Sequence, residues 1–382
     1  MKPILPGATI GIIGGGQLGR MFTLEARRMG YRVVVLEPDA DAPAVQVADH
    51  AILAPLHDRD AARRLARSCD VITLEWENAD VDTVAEIEEL LPVRPGAHVL
   101  RVAQHRVLEK EAARRLGLET ADFHAVDSLE GLRSGLQRLG YPALLKTARG
   151  GYDGKGQIRI ESLDGASDAF NALGGTGTEL ILEALVPFRL EASVICARTP
   201  SGEMASFPIA ENIHRRGILD ASLAPARLSA RVLENARQVG EAMAEGLEAV
   251  GLLAVELFIT DDDHVLVNEI APRPHNSGHY TWEACAVSQF EQQLRAVCGL
   301  PLGSTELLRP AAMLNLLGEE IGTGEHLPGT AEAMRNRNLS LHLYGKREAR
   351  EGRKMGHLTV LAETAEEAFL SASAAKHFLL SG

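Results

Sequence analysis

Apolar residues in the first hundred positions follow two alternating rhythms. Short unbroken runs at 8–13, 31–36 (YRVVVL), 51–53 and 71–74 read as buried strands. Between them, 17–30 and 60–68 carry apolar residues three and four apart, the period of a helix with one buried face. Strands separated by helices of this length predict βαβ units and a parallel sheet. Pro92, Pro95 and Gly96 punctuate 91–96 and mark a boundary.

From 99 the rhythm changes. A charged helix over 104–116 leads to a strand at 141–146, a glycine-rich loop, and strands at 157–160, 180–183 and 191–197. The pattern then predicts a helix over 228–250, two strands at 253–260 and 265–271 around a polar turn, and a helix over 282–297. Short strands at 312–317, 339–343 and 357–361 and a closing helix from 365 make a small mixed tail. The fold class is α/β followed by α+β.

Composition narrows the function. The 382 residues are 46% hydrophobic and 24% charged, ordinary for a globular chain of two or three domains. The balance of 39 Lys+Arg against 52 Asp+Glu gives a net charge of −13. That excludes nucleic acid as the primary partner, because duplex binding needs basic surface, yet leaves room for one basic pocket. Cys69, Cys196, Cys285 and Cys298 are scattered without a CxxC pair, which opposes a disulfide framework and predicts a reducing cytoplasm. No apolar run approaches the roughly 20 residues of a membrane span. The apolar start runs into Gly14-Gly15-Gly16 without a cleavage-type site, so it reads as a strand rather than a signal peptide.

Six motifs carry candidate chemistry. Gly14-x-Gly16-x-x-Gly19 sits between the first strand and helix, where glycine backbone and helix N–H groups can meet a phosphate. Glu37 closes the second strand about 20 residues on, the place of a ribose-binding acid. On these residues a nicotinamide-dependent oxidoreductase and simple strand–helix packing both stay open. Lys146 precedes Gly150-Gly151-Tyr152-Asp153-Gly154-Lys155-Gly156-Gln157, a loop whose N–H groups can wrap phosphate oxygens or form a solvated hairpin. A symmetric turn at 261–264 places Glu256 opposite Glu269. Opposed like charges destabilise a hairpin unless a divalent cation joins them or one turns to solvent or an arginine. Arg273-Pro274-His275-Asn276-Ser277-Gly278-His279 offers donors for a phosphate or hydroxyl-rich ligand, while Pro274 and Gly278 oppose a helical HxxxH zinc site. Lys346, Arg350, Arg353 and Lys354 form a basic cluster, either a solvated face or an anion site. Glu75-Trp76-Glu77-Asn78 follows a parallel strand at the end where open α/β sheets bind ligands.

GGGQLGRM, LLKTARGGYDGKGQ, FPIAENIH, VELF, NEIAPRPHNSGH and YGK…GRKMGH, in this order, resemble the ATP-grasp superfamily. Within it they resemble the 5-(carboxyamino)imidazole ribonucleotide synthase family. The resemblance spans nearly the whole chain. It implies a Rossmann-like domain over 1–102, a two-part ATP-grasp centre over 103–302, and a small mixed C-terminal domain over 303–382. It further implies a homodimer that carboxylates 5-aminoimidazole ribonucleotide with bicarbonate and ATP through carboxyphosphate. Nucleotide contacts would come from Arg106, Lys146, Gly151, Tyr152, Asp153, Gly154, Lys155, Gly156, Gln157, Glu183, Ala184, Leu185, Val186, Glu191, His214, Asn268 and Glu269. Glu183 and Glu191 would hold the adenine edge and ribose hydroxyls, and Glu256 and Glu269 would carry Mg²⁺. The ribonucleotide would meet Gln17, Glu75, Tyr152, Asp153, Arg273, His275, Asn276, Ser277, Lys346 and Arg353, with Lys346 and Arg353 on its phosphate. Lys146, Arg273, His275 and Asp153 would face the reacting groups, Asp153 accepting the amine proton. Gly14, Gly16 and Gly19 would then line the ribonucleotide side, with no NAD. Departures are slight: Gly15 stands where asparagine is common, and Arg216 where a smaller polar residue is frequent. A formate-using purine transformylase or biotin carboxylase would share Lys146, Glu256 and Glu269 but lack HNSGH and GRKMGH. A non-catalytic nucleotide-binding module would not need the full set of phosphate and metal ligands.

Overall fold

The computed structural model describes residues 2–150 and 156–381. β1 (Thr9–Ile13), β2 (Arg32–Leu36), β3 (His50–Ile52) and β4 (Val71–Leu74) form a parallel sheet in the order β3-β2-β1-β4. Its apolar runs are unbroken because both faces are covered. Helix Gln17–Arg28 and the distant helix Gln289–Cys298 pack on one face, and helix Arg59–Ser68 on the other. β5 (Phe123–Val126), β6 (Ala143–Thr147), β7 (Gln157–Ile160) and β8 (Leu180–Ala184) make an antiparallel sheet in the order β5-β8-β6-β7.

The third sheet is nine-stranded and antiparallel. It contains β9 (Phe188–Arg198), β10 (Met204–Ser206), β11 (Ala210–Arg215), β12 (Ile218–Ala224), β13 (Gly251–Thr260), β14 (Val265–Ala271), β15 (Ala311–Leu317), β16 (Leu339–Leu343) and β17 (Lys354–Leu361). The order is β14-β13-β9-β11-β12-β15-β17-β16, with β10 on β9. The strands of the tail therefore continue the central sheet: β12 pairs with β15, Ala221 facing Leu314. Among the described residues no helix is long and apolar enough to cross a membrane.

The strands β5, β10, β11 and β12 were not expected, and two of the expected elements differ in detail. The helix over 282–297 is broken into Thr281–Ala284 and Gln289–Cys298, because the Ser288 side chain accepts the Glu291 N–H and starts a new helix. The hairpin turn is not symmetric. Thr260 N–H donates to the His264 carbonyl, Asp263 takes φ 68°, and Ile259 rather than Thr260 faces Val265. Asn268 then bulges out of β14, so Leu257 faces Val267 while Glu256 faces Glu269. The two departures cancel, and the carboxylates do oppose each other.

Candidate functional site

A cleft of ≈ 1670 Å³ is lined by the loops after β1, β2 and β4, by β6, by the β13–β14 hairpin, and by residues on either side of 350. At the β1 loop the glycine motif is already occupied. Gly15 N–H donates to Glu37 Oε2 and Gly16 N–H to Glu75 Oε2, both at 2.7 Å. A Cβ on Gly16 would stand 2.3 Å from Glu75 Oε1, so only glycine admits this carboxylate. Burial pushes both carboxyls up. The helix N-terminus that would bind a dinucleotide pyrophosphate thus faces two acids of the chain itself, and the nicotinamide reading loses its phosphate site. Gln17 and Glu75 line the cleft.

Next to Glu75, Arg273 grips Glu77 with both arms of its guanidinium, Nη2 donating to Oε1 at 2.7 Å and Nε to Oε2. Burial opposes the Glu77 charge, but Arg273 wins and holds the carboxyl low. His275 reaches Glu256 Oε1 with Nε2 at 3.0 Å. Its Nδ1 lies 2.8 Å from the Ser277 hydroxyl, which in turn accepts from Ser193. That chain makes Nδ1 the acceptor and leaves Nε2–H to donate to Glu256. Burial would raise Glu256, yet the His275 bond overrides it and holds the carboxyl low. Water reaches Glu269 along the cleft, but crowding by protein and the Glu256 charge push its carboxyl up.

Two expected ligands are tied back into the protein, Ser277 behind this wall and Asn276 while still lining the cleft. Ser277 is fully buried, where it orients His275. Asn276 is 7% exposed and its amide is paired in both directions with buried Asn315, whose Nδ2 also donates to the Leu219 carbonyl. The HxxxH spacing brings no zinc site: His275 faces Glu256, while His279 is buried against Gln289 and the Phe290 ring.

At the other end Lys146 Nζ donates to Glu183 Oε2 at 2.8 Å, and Lys110 lies 3.4 Å from Glu183 Oε1. Glu183 is 3% exposed, and both of its carboxylate oxygens are engaged by lysines. The two lysines hold its carboxyl low against the cost of burial. Ala184 ends β8, paired with Ala143, and Leu185 and Val186 follow at the strand's exit. Glu191 and His214 pair at 2.7 Å on the cleft wall, and that bond raises His214 against its burial. Arg106 donates to the Thr147 and Gly150 carbonyls, bracketing the start of the glycine loop. Gly156 accepts from Thr147 N–H and Gln157 faces Lys146 across the β6–β7 pair. Gly151, Tyr152, Asp153, Gly154 and Lys155 lie outside the described residues. Asn268, at the bulge, lines the cleft.

Lys346 donates to the Lys354 carbonyl at 2.7 Å and lies in the cleft with Arg353. Burial and the Arg353 charge push its ammonium down to about 8. Several participants had no sequence signal. Phe188 stacks on Phe258 with centroids 4.5 Å apart on the cleft wall, and Glu109 and Lys110, charged positions on a charged helix, prove 3% and 1% exposed. Burial and Glu269 push Glu109 up to about 8.

Among the described residues no group of three or more His, Cys, Asp or Glu side chains is arranged for a metal. Glu256 and Glu269 alone still suit Mg²⁺, which takes one or two carboxylates and completes its shell with water and ligand phosphates. Burial first and the Glu256 charge second push Glu269 up, and a cation between the two carboxylates would offset the second.

Comparison with known proteins agrees with this layout. Residues 7–104 match the ribonucleotide synthetase preATP-grasp domain, 111–290 the ATP-grasp domain, and 311–369 the phosphoribosylaminoimidazole carboxylase C-terminal domain. The chain is 46% identical over 364 residues to N5-carboxyaminoimidazole ribonucleotide synthase of Bacillus subtilis, covering 95% of this chain and 94% of that one. It superposes with TM-score 0.93 and 45% identity on an ADP complex of an N5-carboxyaminoimidazole ribonucleotide synthetase, covering 99% of this chain and 98% of that one. An Aspergillus clavatus N5-carboxyaminoimidazole synthase, in complex with ADP and 5-aminoimidazole ribonucleotide, superposes with TM-score 0.90 at 34% identity, covering 97% and 98%.

Proposed function

The chain belongs to the N5-carboxyaminoimidazole ribonucleotide synthase family of ATP-grasp ligases, and from that premise we propose how its residues divide the reaction along one cleft. The protein uses ATP to carboxylate 5-aminoimidazole ribonucleotide with bicarbonate, a step of purine biosynthesis. A bicarbonate oxygen attacks the γ-phosphorus as ADP leaves, giving carboxyphosphate. Collapse of that intermediate to phosphate and CO₂ lets the exocyclic amine attack carbon and lose its proton.

The observation that carries the division is a continuous run of charge through the cleft. Glu269 feels Arg106 and Lys146; Glu256, opposite it, holds His275; Arg273 feels Glu75 and Glu256; and Glu75 feels Lys346. The nucleotide occupies the first end. Arg106 and Lys146 meet its phosphates, Glu191 and His214 its ribose, and the Phe188–Phe258 stack walls its base. Glu183 acts one step back, fixing Lys146. Mg²⁺ held by Glu256 and Glu269 would supply charge neutralisation along the phosphates, and fixed cations would meet the charge that develops in transfer. The ribonucleotide occupies the far end, its hydroxyls on Glu75 and Gln17 and its phosphate on Lys346 and Arg353. Arg273 and His275 stand between the two, and Asp153 is the acceptor for the amine proton. We also infer a homodimer in the cytoplasm, where the four free cysteines stay reduced.

Calorimetric titration of Lys346→Ala tests the division. Ribonucleotide binding should weaken at least about tenfold while ADP binding stays within about twofold. Equal loss of both would mean that the basic cluster faces the nucleotide or only supports the fold.

A further inference from the structure

The Asn268 bulge leaves backbone groups of β14 without ladder partners, and β14 is the outermost strand of its sheet. Buried backbone groups of this kind require partners. Consecutive residues of helix Arg106–Arg115 supply them. Lys110 Nζ donates to the Asn268 carbonyl at 3.3 Å, and Glu109 Oε1 accepts the Ile270 N–H. Lys110 also grips Glu183, whose other oxygen holds Lys146.

We propose that Glu109 and Lys110 are positioning residues that clamp the β14 bulge, setting Glu269 against Glu256 and Lys146 against the nucleotide phosphates. The proposal rests on the Mg·ATP reading of those three residues. Because strand side chains alternate, a one-residue slip of β14 would turn Glu269 to the opposite face. Without the bulge, the register seen between Ile259 and Val265 would run on and put Asn268, not Glu269, across from Glu256. The clamp's own partners, Asn268, Ile270 and Glu183, include no residue assigned to the ribonucleotide, so that substrate's affinity should change far less than that for Mg·ATP.

Steady-state kinetics of Lys110→Met, Lys110→Arg and Glu109→Ala test the clamp, with Glu269→Gln run beside them. Lys110→Met and Glu109→Ala should raise the KM for Mg·ATP at least about tenfold and leave the ribonucleotide KM within about twofold. Lys110→Arg, which keeps the charge and a donor, should recover most of the loss. An unchanged Mg·ATP KM in either disruptive variant, or equal changes in both KM values, overturns the proposal. If Lys110→Met does not fold, Glu109→Ala carries the same test from the other side of the bulge. Glu269→Gln separates the two readings: if it is inactive while the clamp variants are normal, only the clamp fails, and if it is fully active the Mg·ATP reading fails first.

Discussion

Glu269 sits between opposing fields, with Glu256 across the hairpin and the cations Arg106 and Lys146 acting against it. Glu269→Gln keeps the shape and removes the repulsion, so it should lower turnover by about a hundredfold or more without lowering thermal stability. Wild-type kinetics in this variant would refute the metal assignment. Lys346 yields a second expectation. Its ammonium titrates at about 8, so the charge is present below that value and lost above it. The ribonucleotide KM should climb as pH rises through about 8 in the wild type. A KM flat to pH ~9 would contradict phosphate binding by Lys346. Placement in the cleft was legible where chemistry and motif coincide, as at Lys146 and His275. Single residues were illegible where burial decides: Ser277 turns inward to His275, and Glu183 is paired with Lys110 and Lys146. Nothing in a run of residue types distinguishes a lysine on a solvated helix face from one that is 1% exposed.

Most long periodic elements were read well, joints were read poorly, and the strands β5, β10, β11 and β12 were not read at all. The predicted opposition of Glu256 and Glu269 survived because an asymmetric turn and a bulge cancel, and bulges leave no mark in an alternating pattern. Ser288 broke an expected helix, although its Ser-x-x-Glu spacing was visible as a start signal. Another joint packs β16 and β17 onto the segment after His275. His357 stacks on His342 at 4.5 Å and lies 4.8 Å from His279, and Tyr344 OH meets His357 Nδ1 at 2.9 Å. Burial pushes His279 and His357 well below 6.5, and neighbouring histidines add to it. Both are neutral when folded and take up a proton on unfolding below that value. Stability is therefore complete above about pH 6.5 and declines below it, by up to about 1.4 kcal/mol per pH unit for each group. Urea unfolding midpoints should fall between about pH 7.5 and 5.5, and fall less in His357→Asn. An unchanged midpoint in the wild type would contradict the neutral buried stack.

The whole molecule converges on one cleft because its sheets are knitted across sequence. Helix Gln289–Cys298 completes the core of the first sheet, and β15–β17 extend the third. The alternation of strands and helices showed a parallel sheet followed by mixed structure, but the joining of β15 to β12 was not legible, since strand pairing between distant segments has no local pattern. Deleting residues 303–382 would strip β12 of its partner along Ala221–Ala224 and expose the buried Leu223 edge. The truncated chain should aggregate and fail to bind the ribonucleotide, as light scattering and calorimetry would show. A soluble fragment with intact ribonucleotide binding would mean the tail is dispensable to the site.

The most direct measurement is trapping of radiolabelled bicarbonate in product alongside ADP release from Mg·ATP, with and without 5-aminoimidazole ribonucleotide. One label should be captured for each ADP formed, and both signals should rise with the ribonucleotide. ADP release indifferent to the ribonucleotide, with no label captured, would contradict the account by leaving the nucleotide end of the cleft without its acceptor.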